Sequence, residues 1–251
     1  LMKDEDTYKQ VNKIGLNELV RYLNNVLRMG RIVQGMLYKF SDTYLERNIE
    51  LSKQIVEQDD RLDLMEAELS YVGMHLLSSF NFTGIYLKAC FMSLNLVHIF
   101  ENVGDLFEKN AKINIDILNN PYVINSANFE DAINVTTDNF TNTLSMLSDF
   151  VNIEEKRLRT KEVLDIFFKK GKSVCMFHGE VYSLIKAYKS YLYKSKESVK
   201  VISLHLEILN NILIFSDLTT NIAENIIWAL TGDFYKCRNN DLELFYCLGE
   251  E

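Results

Sequence analysis

Apolar residues recur three and four positions apart through most of this chain, the period of an amphipathic helix. The first such run covers about 16–44, with Leu23, Val26, Leu27, Ile32, Met36 and Leu37 on one side. Others follow at about 46–79, 85–118, 128–154, 156–194 and 197–230, so the pattern predicts six long helices. Asn81-Phe-Thr-Gly84 interrupts it early, and Asn119-Asn-Pro121-Tyr interrupts it most strongly, since proline cannot continue a helix and disfavours one just before it. Gly232, at the end of the last run, suits a left-handed cap. Residues 1 to about 15 read as a loose polar arm, and the last fifteen or so carry no assigned element.

Long helices joined by short turns pack antiparallel. The predicted fold class is all-α, two tandem three-helix bundles split at Pro121 into 1–120 and 121–251. A repeated segment supports the duplication. Glu101-Asn-Val-Gly-Asp105-Leu-Phe-Glu108 returns, altered, as Leu213-Ile-Phe-Ser-Asp217-Leu-Thr-Thr220, an offset of 217 − 105 = 112. One proline and ten glycines in 251 residues agree with long helices rather than many strands.

Both copies bear oxygen ligands away from the apolar stripe. In the third run Met92, Leu96, Phe100, Val103 and Phe107 make that stripe, and Glu101, Asp105 and Glu108 fall roughly 120–180° from its centre. In the sixth, Val201, Leu204, Ile208, Ile212, Phe215, Ile222 and Ile226 make it, with Asp217, Asn221 and Glu224 on the far side. Spacings of four and seven let such side chains converge on a cation, although acids opposite a core stripe are usually only a solvated face. The second run is more telling. Asp59, and later Glu66, interrupt a stripe of Leu51, Ile55, Leu62, Leu69 and Val72, with Asp63 one turn beyond Asp59. A carboxylate facing a core is costly unless paired or ligated. His178 interrupts Val174, Val181 and Ile185 in the same way at an offset of 178 − 59 = 119; a hydrogen-bonded core histidine and a ligand are both open readings for it.

Charge narrows the partners. A net −8 and a pI of about 5.2 speak against nucleic acid, which requires a basic surface. Lysines and arginines nonetheless gather early in the second half: Lys156, Arg157, Arg159, Lys161, Lys169, Lys170, Lys172, Lys186, Lys189, Lys194, Lys196 and Lys200. They read either as a solvated face or as a docking patch for an acidic partner or anionic lipid. Cys90, Cys175, Cys237 and Cys247 show no paired spacing and are expected to be reduced thiols of a cytoplasmic protein. The start, Leu1-Met-Lys-Asp-Glu-Asp6, lacks the apolar core of a signal peptide, and no membrane span is expected. No phosphate loop, GxGxxG, HExxH or GxSxG motif occurs, and no histidine follows a glutamate by three residues, so the expectation is a protein that is not an enzyme.

Glu101-Asn-Val-Gly-Asp105-Leu-Phe-Glu-Lys-Asn-Ala-Lys112 resembles the E-R-I-G-D-L-A-E-N-I-A-K signature of the PhoU family. Asp217-Leu-Thr-Thr-Asn-Ile-Ala-Glu-Asn-Ile-Ile-Trp-Ala-Leu-Thr-Gly-Asp233 is similar to its second copy, D-H-A-T-N-I-A-E-N-V-I-Y-L-x-T-G-E, and Val56-Glu-Gln-Asp59-Asp-Arg-Leu-Asp63 to its V-I-E-x-D-x-x-I-D. The resemblance implies two tandem three-helix bundles holding divalent or trivalent metal, iron, zinc or magnesium, on ExxxD motifs. It implies a negative regulator of phosphate uptake and of the phosphate-starvation response. The implied partners are the ATPase subunit of a phosphate ABC transporter, a phosphate-sensing histidine kinase and a second copy in a homodimer. Metal ligands would be Glu101 and Asp105, helped by Asp59 and Asp63, with Asp217 in the second half and His178, Asn221 and Glu224 as further candidates there. The second half departs from the family: Leu213 replaces the glutamate four before Asp217, His178 and Tyr182 replace middle-helix acids, and Cys237 replaces a histidine. Two unequal sites are therefore expected. A metal-storage bundle or a structural helical adaptor are the other functions the helical pattern allows.

Overall fold

The structure is a computed structural model describing residues 2–119, 127–153, 160–194 and 198–247. It contains α1 (Met2–Glu46), α2 (Ile49–Ser79), α3 (Gly84–Leu118), α4 (Ala127–Asn152), α5 (Lys161–Leu192) and α6 (Val199–Thr231), then strands β1 (Phe234–Arg238) and β2 (Asp241–Tyr246). Pro121, Lys156, Arg157, Arg159 and Lys196 lie outside the described residues. Side chains start the helices where a cap is needed. The Asn48 oxygen accepts from the Glu50 and Leu51 amides, Thr160 from Val163, and Ser198 from Val201. Gly232 ends α6 in the left-handed region at φ 90°, its amide donating to the Trp228 carbonyl.

Helices α1–α3 pack on one another, as do α4–α6, giving two three-helix bundles. They join along two seams, α3 on α6 and α1 on α4, so a single apolar core runs through both. Aromatic rings meet at the α3–α6 seam, where Phe107 lies 5.0 Å from Phe215 between centroids, and Phe140 on α4 backs Phe215 at 5.1 Å. Gly30 permits the close approach of α1, because a Cβ there would stand 2.7 Å from Leu144 and 2.8 Å from Phe100. The outermost helices are α2 and α5, each packed on the other two helices of its own triplet, α5 also on the two C-terminal strands.

Four expectations change. The polar N-terminal arm is helical from Met2, continuous with α1. The unassigned C-terminus is an antiparallel hairpin turning at Asn239 and Asn240, both at positive φ (51° and 62°), the geometry that favours asparagine in a two-residue hairpin loop. Leu242 inserts from it beside Gly171 and Ile227. Cys175 and Cys237, expected as thiols, form a disulfide across 62 residues of sequence, whereas Cys90 and Cys247 are thiols outside any disulfide. Chain folding, rather than local spacing, brings that pair together. Finally, α6 is long and apolar enough by length and composition to cross a membrane, which the sequence reading had not anticipated; here its apolar residues pack against α3, α4 and α5.

Candidate metal centre

The α2–α3 contact carries the acids. Of the α2 stripe, Ile55, Leu62 and Leu69 are buried, Leu51 is half-buried, and Val72 turns to solvent. Asp59 holds its place in the buried row with 7% of its surface exposed, between Ile55 and Leu62. Gly104 on α3 makes room for it, since a Cβ at Gly104 would stand 2.5 Å from Leu62 Cδ1 and 3.0 Å from Asp59 Oδ1. That Oδ1 is buried and has no hydrogen-bond partner among the described residues. An isolated buried carboxylate oxygen is expensive, and a cation is one remedy.

Asp63 and Asp105 stand next to it. One carboxylate oxygen each from Asp59, Asp63 and Asp105 lie within 4.8 Å of one another. Burial, then the carboxylates of Glu108, Asp105, Asp63 and Glu101, push the Asp59 carboxyl up to about 7. Among the described residues, counter-charge comes from the outer side of α3, where Lys109 lies 3.5 Å from Asp105 and Lys112 lies 2.5 Å from Glu108. Both lysines are more than half exposed, so water screens them.

A second group lies two turns along α2 and one turn back along α3. Ligand atoms of Glu66, His98 and Glu101 are again within 4.8 Å of one another. His98 Nδ1 is 3.3 Å from Glu66 Oε1 and 3.8 Å from Glu101 Oε2. Burial raises the Glu101 carboxyl, followed by Asp105 and Glu66. The sequence reading grouped Glu101 with Asp105; in space Glu101 belongs to this adjoining group. It noted Glu66 without choosing it and gave His98 no role. The signal for His98 was its place three residues before Glu101, one turn away on the same face.

Residues 26–113 match the PhoU domain model. The chain carries a PhoU domain. That domain spans both acidic groups and all of α2. Over 235 residues the chain is 27% identical to the phosphate-specific transport system accessory protein PhoU homolog 2 of Thermotoga maritima, covering 92% of this chain and 93% of that protein. Two crystal structures share the fold: PhoU from Pseudomonas aeruginosa (TM-score 0.70, 16% identity, 86% of this chain and 98% of that one) and the phosphate transport system regulatory protein PhoU from Streptococcus pneumoniae (TM-score 0.65, 19% identity, 88% and 98%).

Beyond the PhoU domain, the second triplet assembles much less. His178 is half-buried, its Nδ1 2.9 Å from Ser216 Oγ and its Nε2 3.4 Å from Asp217 Oδ1. Among the described residues no third ligand joins that pair. Glu224 is not on a solvent face with Asp217, as the helical wheel suggested. It is buried and turned towards the hairpin, where its carboxylate accepts from the Lys236 ammonium and, at 2.8 Å, from the Cys237 amide. Asn221 gives its carbonyl to Asn225 Nδ2.

Proposed function

We propose that this protein is a metal-binding accessory protein of phosphate transport, a negative regulator of phosphate uptake and of the phosphate-starvation response. The observation that carries the metal reading is Asp59: a buried carboxylate with an unpartnered oxygen, beside Asp63 and Asp105. Three oxygen donors favour hard cations, and the imidazole of His98 in the adjoining group extends the choice to iron or zinc. Binding there would replace the mutual repulsion of the acids by shared attraction and tie α2 to α3, fixing the surface that a partner meets. The phosphate-transport role rests on the similarity to the Thermotoga maritima accessory protein over most of both chains. In this reading the protein works by contact, not catalysis, in the cytoplasm, as a homodimer meeting the ATPase subunit of the transporter and the phosphate-sensing kinase.

The two halves are proposed to be unequal, since the second offers only His178 and Asp217. Elemental analysis of protein purified without chelator should find iron, zinc or magnesium that Asp59→Asn with Asp105→Asn removes and Asp217→Asn leaves in place. Absence of retained metal in the parent protein, or equal loss with Asp217→Asn, counts against this reading. Many ions per chain would favour storage instead. Capture of a phosphate-transport ATPase or sensor kinase from phosphate-replete cells tests the regulatory part.

A further inference from the structure

The cleft between α5 and α6 occupies, in the second triplet, the place that the acidic cleft between α2 and α3 occupies in the first. The contact of His178 with Asp217 sits where Asp59 meets Asp105, at the offsets 119 and 112. Continuing along the same register, Tyr182 stands for Asp63, Lys186 for Ala67, Lys189 for Ser70 and Leu213 for Glu101 (182 − 63 = 186 − 67 = 189 − 70 = 119; 213 − 101 = 112). The carboxylates of Asp63 and Glu101 give way to a phenol and a leucine, and two small residues, Ala67 and Ser70, to lysines. The result is an open cleft of about 330 Å³ lined by those four residues with Ile185, Ser190 and Tyr193, and no acid is among them.

Among the described residues the two lysines have no counter-charge. Lys186 makes no hydrogen bond or ion pair among the described residues, and Lys189 Nζ donates at 2.6 Å to Asn210 Oδ1, a neutral acceptor that steers it without neutralising it. Two other lysines on this helix do have acidic partners, Lys170 in Asp149 and Lys172 in Asp241. In a chain of net charge −8, two unpaired ammonium groups three residues apart on one helix repel each other and attract an anion. Lysine, a compact point charge, suits phosphate, and no arginine is present to fork a carboxylate. Hydroxyls of Tyr182, Ser190 and Tyr193 are further donors, while the two phenol rings and the apolar Ile185 and Leu213 offer flat and greasy surface to a ring.

We propose that the α5–α6 cleft binds a small phosphate-bearing ligand, its phosphate held by Lys186 and Lys189. Free phosphate and a nucleoside phosphate share that chemistry, and Tyr182 and Tyr193 separate them. The test is calorimetric titration of the full chain, stripped of divalent metal on a chelating resin, with sodium phosphate, adenosine diphosphate and adenosine in turn. Saturable binding of phosphate-bearing probes but not of adenosine is expected, weakened about tenfold or more by Lys186→Gln with Lys189→Gln, as loss of charge-assisted bonds requires. Circular dichroism of that variant should match the parent, since both side chains are at the surface. Similar affinity for phosphate and the diphosphate assigns free phosphate; tighter diphosphate binding that Tyr193→Ala loosens assigns a nucleoside phosphate. Absence of saturable binding below about 10 mM, weaker than any useful affinity, overturns the proposal. So does binding that the double lysine variant leaves unchanged. Asp59→Asn should bind these probes like the parent, so the outcome stands apart from that of the metal centre.

Discussion

Asp59 and Gly104 face each other across the α2–α3 contact, the Asp59 Oδ1 3.0 Å from where a Cβ on Gly104 would be. The glycine is what lets a carboxylate enter an otherwise apolar row. Gly104→Ala would gain about 1 kcal/mol of helix propensity but overpack Leu62 and Asp59 at about 1–3 kcal/mol. The net expectation is a loss of up to about 2 kcal/mol, read from urea unfolding, together with weaker metal binding, because the displaced carboxylate no longer meets Asp63 and Asp105. An alanine variant as stable as the parent and equal to it in a metal titration would refute this account of the glycine.

The crowded acids set a pH dependence. In the folded, metal-free chain Asp59 keeps its proton to about 7, whereas in the unfolded chain it releases it near 3.8. Between those values the folded state binds more protons, so stability falls as pH rises through that window. The stabilisation is fully present below the unfolded value and lost above the folded one, amounting to about 2–4 kcal/mol. Asp59→Asn should flatten this part of the profile and leave the metal-free protein more stable than the parent at about pH 8. Urea unfolding of both proteins at several pH values in chelator checks it; parallel profiles would show that Asp59 titrates normally.

Glu224 anchors the hairpin from inside. Its carboxylate is buried between α6 and β1 and accepts from Lys236 and the Cys237 amide. Glu224→Ala should cost about 2–3 kcal/mol, since a part-buried amide loses its acceptor and the ammonium its partner. Amide exchange should accelerate first in Phe234–Arg238 and Asp241–Tyr246. If the hairpin stays protected while the helices loosen, the anchor lies elsewhere.

The disulfide should be countable. Four thiols are expected to react after reduction and unfolding, but only Cys90 and Cys247 after unfolding without reductant. Cys175→Ser is expected to lose about 2–4 kcal/mol, since it frees a loop of 62 residues in the unfolded chain. Four reactive thiols in unreduced protein would place both cysteines in the reduced state.

Much of the α2–α3 site was legible before folding. Glu101 and Asp105 could be set on one side of α3 because side chains four apart share a face, and Asp59 could be picked out because it breaks an apolar row. What that reading could not supply is which acids meet. Asp105 joins Asp59 and Asp63 while Glu101 joins Glu66 and His98, since partnership depends on how two helices cross and on a glycine at the crossing.

The succession of six helices and the glycine that ends the last came from the amino-acid order alone, because helical period and capping act within a few residues. Only the tertiary structure decided that Glu224 turns inward to a hairpin, that Cys175 finds Cys237, and that Lys186 and Lys189 line a cleft without a counter-ion. Each of these depends on segments that meet only after the chain has returned on itself, where contacts between distant residues outweigh any local preference.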